Sequence, residues 1–180
     1  TRFVLNTRSA SAHWIAKEGG TFCGGELVKL IFQKIDPQVN IELLIKDGQK
    51  FEKNQRVLEL QGHSSSLVAG ERITLNLVMR LSGIATSTAS LVTKLNGSNV
   101  KLADTRKTTP GLRVFEKYAF YCGGGINHRL GLDDAAMLKE NHIEWSNGIS
   151  ESIKVLKSSI PWTKKIIVEA ETPSQAKEAV

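Results

Sequence analysis

Three polar segments carry most of the residues whose types could do chemistry, and each follows a predicted strand. They are residues 103–111 (Ala-Asp-Thr-Arg-Lys-Thr-Thr-Pro-Gly), residues 139–142 (Lys-Glu-Asn-His) and residues 168–171 (Val-Glu-Ala-Glu). In parallel strand–helix architectures, functional groups collect where strands end, because the loops that follow converge on one face. We therefore expect these segments to contribute to one site.

A fourth polar segment, residues 123–129 (Gly-Gly-Gly-Ile-Asn-His-Arg), lies between a predicted helix and a predicted strand. Its glycines allow unusual backbone angles and the close approach of a ligand. It is not a phosphate-binding P-loop, since no Lys-Ser or Lys-Thr follows, and it does not match the GxGxxG pattern. Taken alone, it is a weak signal for a binding site.

Four cations are expected to point into one pocket: Arg106, Lys107, Arg129 and Lys139. Clustered like charges repel one another, so such a pocket needs an anionic ligand. Arginine grips carboxylates with a planar fork, whereas lysine acts as a point charge suited to phosphate. The pattern predicts a ligand with both groups, and Glu169 would hold a divalent cation or ribose hydroxyls beside it.

The elements that must position these residues fall into two patterns. Residues 1–62 are rich in short predicted strands, with one helix at 25–35 that is expected to place Leu27, Leu30 and Ile31 on one face. Residues 67–95 carry apolar side chains at three- and four-residue spacing, which predicts a long helix with a buried face and a possible break at Gly83. The first part of the chain is therefore predicted to be an α+β layer.

Beyond residue 97 the chain alternates predicted strands with helices, which is typical of a parallel sheet or barrel. Thr172 is expected to cap a last helix, with Pro173 at its first position and Gln175 completing a capping box. The expected strands are 100–104, 136–139 and 166–170, and the expected helices are 112–121 and 149–158.

Composition and charge restrict the class of protein. The 180 residues are 41% hydrophobic with a net charge of +6, and no window approaches about 18 uninterrupted apolar residues. The first residues lack the layout of a signal peptide, so the expected location is cytoplasmic and no membrane partner is expected. Aromatic residues make up only 6% and the basic residues are mostly single, which argues against the binding of nucleic acid.

Cys23 and Cys122 are expected to be reduced, packed thiols rather than a disulfide framework or zinc ligands.

The ordered motifs of the chain closely resemble the quinolinate phosphoribosyltransferase family, strongly over about residues 70–171 and by general pattern over the first 62. The motifs are Glu71-Arg72, Leu75-Asn76, 81–86 (Leu-Ser-Gly-Ile-Ala-Thr), 104–113 (Asp-Thr-Arg-Lys-Thr-Thr-Pro-Gly-Leu-Arg), 116–119 (Glu-Lys-Tyr-Ala), 123–125 (Gly-Gly-Gly), 127–132 (Asn-His-Arg-Leu-Gly-Leu) and 139–142. The resemblance implies an N-terminal α+β domain joined to an open α/β barrel. It also implies a homodimer, or a higher homo-oligomer, in which each subunit completes its neighbour's site.

The resemblance also implies roles for particular residues. Arg72 would reach into the partner's pocket, and Arg106, Arg129, His128 and Lys139 would bind the two carboxylates of quinolinate. Lys107 and Glu169 would face phosphoribosyl pyrophosphate and its Mg²⁺. Thr105 would contact substrate, and the catalytic residues would be Lys107, Lys139 and Glu169. The implied reaction makes nicotinate mononucleotide, CO2 and pyrophosphate for NAD biosynthesis.

The expected domain organisation is an N-terminal α+β domain at 1–72 and a partial α/β barrel at 73–180 that carries the active site. A βα barrel takes about 250 residues, and only three clear barrel strands are expected here. We therefore expect an incomplete barrel, with the family's next acidic group and its glycine-rich phosphate loops beyond Val180 and its usual opening segment before Thr1.

Two alternatives remain beside this interpretation. One is a related pyrophosphorylase of the same fold that acts on another substrate, such as a molybdenum-transport relative, although the paired arginines argue against it. The other is a non-enzyme, because residues 45–50 and 56–62 resemble half of a lipoyl or biotinyl carrier domain. Carriers present a modifiable lysine between two such halves, and the second half is absent.

Overall fold

The computed structural model describes residues 8–180 and divides into two compact units. The first unit ends at His128, and the second spans Arg129–Val180. The predicted strand-rich region starts at residue 1, so its first seven residues lie outside the described part. No helix among the described residues is long and apolar enough to cross a membrane.

The first unit contains five strands and three helices. The strands are β1 (Ser9–Ile15), β2 (Gly20–Thr21), β3 (Asn40–Leu43), β4 (Lys50–Phe51) and β5 (Arg56–His63). An antiparallel sheet has the order β1-β5-β3, and β2 pairs with β4 in a separate antiparallel ladder. The helices are α1 (Gly25–Ile35), α2 (Ser64–Lys94) and α3 (Arg113–Cys122). The predicted α+β layer is confirmed.

Helix α1 occupies the predicted residues, and its most buried side chains are not the three that were expected to share one face. Val28 and Phe32 are fully buried at four-residue spacing, whereas Leu27 and Ile31 are half-buried and Leu30 is 58% exposed. Gly70 of α2 lies against the Phe32 ring, where a larger side chain would collide with it. The close approach of the two helices therefore decides which side of α1 faces the core formed with Leu58 of β5.

Helix α2 is continuous over 31 residues, so the possible break at Gly83 is wrong. Gly83 is exposed, and a Cβ there would meet nothing within 4 Å, which explains why the helix tolerates it on its solvent side. The opposite face is buried as predicted, with Val78, Leu81 and Ala85 at helical spacing.

The strand predicted at 100–104 is wrong. Only Ala103 pairs, in a single parallel bridge with Ile126, where Ile126 N–H donates to Leu102 (2.9 Å) and Asp104 N–H donates to Ile126 (3.2 Å). On its N-terminal side the partner segment cannot extend the ladder, because the Gly-rich turn ends immediately before Ile126. The helix predicted at 112–121 is observed as α3, shifted by one residue.

The second unit contains β6 (Ala136–Leu138), α4 (Glu140–Glu144), α5 (Ile149–Ser159), β7 (Ile166–Val168) and α6 (Pro173–Glu178). Strands β6 and β7 pair in parallel, as expected for strands joined through a helical crossover. The predicted cap of α6 is confirmed, since Thr172 and Gln175 form a capping box with Pro173 at the start of the helix. The fold class is confirmed as α/β, and the described residues form no closed barrel.

Candidate active site

A buried ion pair fixes the start of the 104–111 segment, which we call the Arg106 loop. The ammonium of Lys117, on α3, contacts Asp104 Oδ1, and the two side chains are only 4% and 6% exposed. The same carboxylate accepts a hydrogen bond from the backbone N–H of His128 (2.8 Å). With its amide oriented to satisfy both neighbours, Asn127 donates to Asp104 Oδ2 (2.8 Å) and to the Lys117 carbonyl (3.0 Å). Asp104 therefore ties the loop to both α3 and the His128 segment.

A second ion pair holds the far end of the Arg106 loop. Glu116 Oε1 accepts from Arg80 Nε (2.8 Å) and Nη2 (2.5 Å), and Glu116 Oε2 accepts from the backbone N–H of Thr109 (3.1 Å). Burial by itself raises the pKa of Glu116, but the hydrogen bonds from Arg80 and Thr109 outweigh it and hold that pKa below its usual value. Helix α2 thus holds the loop in place, because its Arg80 binds the same Glu116 carboxylate that accepts the Thr109 N–H.

Arg113, in the first turn of α3, braces the middle of the loop. Its Nε donates to Thr108 Oγ1 (3.2 Å), and its Nη2 lies 3.5 Å from the carbonyl of Arg106. The backbone of the loop is therefore held at both ends and in between by charged side chains from two helices.

Arg106 has a polar atom that the fold leaves unsatisfied. Its Nε is buried and has no hydrogen-bond partner, and it is the one such side-chain atom among the described residues. A buried donor without a partner costs about 1–3 kcal/mol, and more when the group is charged. Because the loop around it is firmly held, the unsatisfied donor makes Arg106 a candidate for binding an external acceptor such as a carboxylate, while Arg106 itself is not among the residues that line the adjoining pocket.

An open pocket of about 370 Å³ adjoins this loop within the first unit. Of the predicted site residues, Thr105 and Lys107 line it, together with Arg80, Glu116 and Lys117. Arg72 lies exposed on α2 and does not line this pocket. The first unit therefore brings together Thr105, Arg106 and Lys107 on one loop.

Three predicted residues belong to the second unit. Lys139 precedes α4, and its ammonium lies 3.2 Å from Glu169 Oε2, with side chains 43% and 52% exposed. Glu169 follows β7, and its backbone N–H donates to Leu138 (2.9 Å), which places the two charged residues at the ends of neighbouring parallel strands. Arg129 donates from Nη1 to the carbonyl of Ala135 (2.7 Å). The expected convergence of all four cations on one pocket stays a prediction.

Several residues of the site were not predicted as functional. Arg80 and Glu116 are 36 positions apart, so no local pattern pairs them. Lys117 and Asp104 were noted only within motifs. The only local signal was the pair of adjacent charges Glu116-Lys117 on a short predicted helix, and their partners lie on two different segments, α2 and the Arg106 loop. His142, whose role was open, accepts from the backbone N–H of Lys139 through Nδ1 (3.1 Å).

The fold and this loop define a class: a two-unit α/β protein in which a firmly held loop carries the cations Arg106 and Lys107. Comparison with known proteins identifies the family. The model of the quinolinate phosphoribosyl transferase N-terminal domain matches residues 1–82, and that of the C-terminal domain matches residues 84–180. The chain belongs to the quinolinate phosphoribosyl transferase family. The carrier-like residues 45–50 and 56–62 are thus part of this family's N-terminal domain.

Individual relatives agree with the family models. The chain is 44% identical over 169 residues to a probable nicotinate-nucleotide pyrophosphorylase [carboxylating] of Synechocystis, which covers 94% of this chain and 57% of the relative. It is 43% identical over 177 residues to the protein of the same description from Bacillus subtilis, covering 98% and 61%. The crystal structure of NadC from Streptococcus pyogenes superposes with a TM-score of 0.94 at 39% identity, covering 99% of this chain and 64% of that one. The chain thus spans about 60% of the length of these relatives.

Proposed function

We propose that the protein is a decarboxylating phosphoribosyltransferase that converts quinolinate and phosphoribosyl pyrophosphate to nicotinate mononucleotide, CO2 and pyrophosphate. The observation that carries the proposal is the buried, unsatisfied Nε of Arg106 in a loop that two helices hold in place. Such a donor suits a planar carboxylate. Membership of the family supports the choice of quinolinate as the carboxylate ligand.

The two substrates would engage different types of cation. Arg106, Arg129, His128 and Lys139 would bind the two carboxylates of quinolinate, with Thr105 donating or accepting a hydrogen bond beside them. Lys107 would face the phosphates of phosphoribosyl pyrophosphate, because an ammonium is a compact charge without the fork that favours carboxylates. Its place on the pocket wall next to Thr105 supports this division.

Mg²⁺ would enter with phosphoribosyl pyrophosphate. Magnesium in proteins is commonly bound by one or two carboxylates together with substrate phosphates and water. Glu169 offers one half-exposed carboxylate, now ion-paired with Lys139, so its donor chemistry is compatible with this role. When bound, the ion would neutralise charge on the pyrophosphate.

The chemistry requires no nucleophilic side chain. The pyridine nitrogen of quinolinate would attack the anomeric carbon, so that a C–N bond forms while the C–O bond to pyrophosphate breaks. The carboxylate next to the ring nitrogen would then leave as CO2. The chain's own residues would act by orienting two anionic reactants and by stabilising the departing charge, chiefly through Lys107 and Lys139.

We also propose that two copies complete each other's sites. Arg72 is exposed on α2 and lies outside the pocket that Thr105 and Lys107 line. A role for Arg72 in the neighbouring subunit would account for a cation that is part of the family-like motif Glu71-Arg72 and yet stands away from the local pocket.

The test is to incubate the whole protein with quinolinate, phosphoribosyl pyrophosphate and Mg²⁺ and to quantify nicotinate mononucleotide by chromatography. Parallel reactions replace quinolinate with nicotinate, which lacks the second carboxylate. The proposal expects product from quinolinate only. Turnover of nicotinate or another base, with none from quinolinate, would overturn the substrate assignment.

A further inference from the structure

The two cysteines of the chain, which lie 99 positions apart, meet in the fold. Cys23 is fully buried immediately before α1, and Cys122 is the half-buried last residue of α3. Their Sγ atoms and a carboxylate oxygen of Asp47 all lie within 4.8 Å of one another. Neither cysteine belongs to the Arg106 loop or lines the pocket beside it, and the proposed reaction assigns no role to either.

Asp47 is already committed to other partners. Its Oδ1 accepts from the backbone N–H groups of Gly24 (3.0 Å) and Gly25 (2.9 Å), and its Oδ2 accepts from the Tyr118 hydroxyl (3.0 Å). This carboxylate therefore serves to fix the start of α1 against α3. The two sulfurs face each other as the remaining reactive groups of the cluster, which favours bond formation between them over the binding of a metal ion.

We propose that Cys23 and Cys122 form a reversible disulfide when the protein meets a peroxide, with Cys122 as the residue that is oxidised first. The proposal does not depend on the enzymatic activity proposed above. Cys122 is the less buried of the two residues, whereas Cys23 is fully buried and its sulfur lies within 4.8 Å, close enough to resolve the oxidised group, an arrangement common to redox-sensitive cysteine pairs.

The hydrogen bonds of the cluster support this order. The pKa of Cys122 is lowered, chiefly because the Cys23 thiol donates toward its sulfur, while burial acts in the opposite direction. The pKa of Cys23 is raised by that same hydrogen bond and by burial. The less buried cysteine is therefore also the one whose thiolate, the nucleophilic form, is favoured.

The reaction balances with hydrogen peroxide as the oxidant. The Cys122 thiolate attacks one peroxide oxygen, the O–O bond breaks, and a sulfenic acid forms as hydroxide leaves and takes up a proton. The Cys23 sulfur then attacks the sulfenic sulfur, so that the S–S bond forms and a second water leaves with the Cys23 proton. Two thiols are oxidised by two electrons in total, and one peroxide is reduced to two waters.

Hydrogen bonds anchor the backbone on both sides of the pair. The backbone N–H of Cys23 is held by Ser82 Oγ (3.0 Å), and the N–H of Gly123 is held by the carbonyl of Ala119 (3.1 Å). The bond would therefore join the start of α1 to the end of α3 while these anchors stay in place.

The experiment treats the whole reduced protein with a small excess of hydrogen peroxide, blocks remaining thiols with a maleimide under denaturing conditions, and maps the peptides by mass spectrometry. We expect Cys23 and Cys122 to become protected together, as one linked peptide pair that has lost two hydrogens, and dithiothreitol to restore both thiols. Cys23→Ser should leave a sulfenic acid at Cys122 that a dimedone probe traps, whereas Cys122→Ser should leave Cys23 unreactive.

Three results would overturn the proposal. The first is that both cysteines stay maleimide-reactive after peroxide, and the second is that Cys122 is over-oxidised in the unaltered protein without a link to Cys23. The third, read by labelling the native protein, is protection of both cysteines that appears without peroxide and disappears with a chelator, which would identify a thiolate metal site. All three are read from the unaltered protein, so they do not depend on how the variants fold.

Discussion

Lys117→Met is expected to destabilise the protein severely, because it leaves the Asp104 carboxylate without its cation in an environment where the two side chains are 4% and 6% exposed. Breaking a buried ion pair by removing one partner costs about 3–5 kcal/mol, since the remaining charge has lost both water and its counter-ion. The methionine keeps most of the length of the lysine, so the change is chiefly one of charge.

Two further variants separate charge from packing. Asp104→Asn combined with Lys117→Met removes both charges, so it should recover part of the lost stability, and the Asn amide still offers an oxygen to the His128 N–H. Lys154→Met is the matched control, because its pair with Glu151 is solvent-exposed (74% and 50%) and should contribute at most about 1 kcal/mol.

The assay is denaturant unfolding of the whole protein, followed by far-ultraviolet circular dichroism. Our reasoning predicts the order of stability as unaltered protein and Lys154→Met, then the double variant, then Lys117→Met. It would be refuted if Lys117→Met unfolded at the same denaturant concentration as Lys154→Met, or if the double variant were less stable than Lys117→Met alone.

Three more predictions concern the loop and the second unit. Glu116→Gln should lower the free energy of unfolding at neutral pH. Because the pKa of Glu116 is lowered in the folded state, its contribution to stability is present above the ordinary value of 4.5 and fades as the pH falls. The difference in stability between the variant and the unaltered protein should therefore shrink in acid, and a pH-independent difference would contradict this. Arg106→Lys keeps the positive charge and loses the planar fork of the guanidinium. The value of kcat/KM for quinolinate should fall about 10- to 100-fold with the free energy of unfolding unchanged, in line with about 1.5–3 kcal/mol for a hydrogen bond to a charged group. A near-normal kcat/KM would count against a carboxylate at this donor. Lys139→Met should change the free energy of unfolding by less than about 1 kcal/mol, since the ion pair of Lys139 with Glu169 is half-exposed. The same variant should strongly reduce turnover. A large loss of stability with normal turnover would assign the pair a structural role.

Elements with strong local signals could be predicted from the sequence. The cap of α6 depends on Thr172, Pro173 and Gln175, which are adjacent in the chain, and the structure has the predicted cap. Helix α1 was also placed at the observed residues. The buried face of α1 could not be placed in this way. Phe32 of α1 packs against Gly70, which lies 40 positions after Leu30 in the chain, and this contact leaves Leu30 exposed.

The strand predicted at 100–104 also failed because its formation depends on a segment distant in the chain. Its residues suit a strand, but a strand needs a partner of equal length, and the partner here is reduced to Ile126 beside a glycine-rich turn. Strand length in a parallel pair is set by both segments, and only one of them was apparent locally.

The same distinction between local signals and long-range contacts applies to the candidate site. The Arg106 loop and the residues Lys139 and Glu169 were located from the polar ends of predicted strands, and the structure places Lys139 and Glu169 at the ends of paired strands β6 and β7. The residues that hold the loop, above all Arg80, could not be found in this way, because an ion pair across 36 positions depends on how α2 packs against α3.

The central claim is that the protein transfers phosphoribosyl to quinolinate and removes a carboxylate in the same turnover. The most direct measurement uses quinolinate labelled with carbon-14 in the carboxylate next to the ring nitrogen and counts the trapped CO2. We predict labelled CO2 in equal amounts to nicotinate mononucleotide, and only when phosphoribosyl pyrophosphate is present. Nucleotide that retains the label, or CO2 release without phosphoribosyl pyrophosphate, would contradict the account.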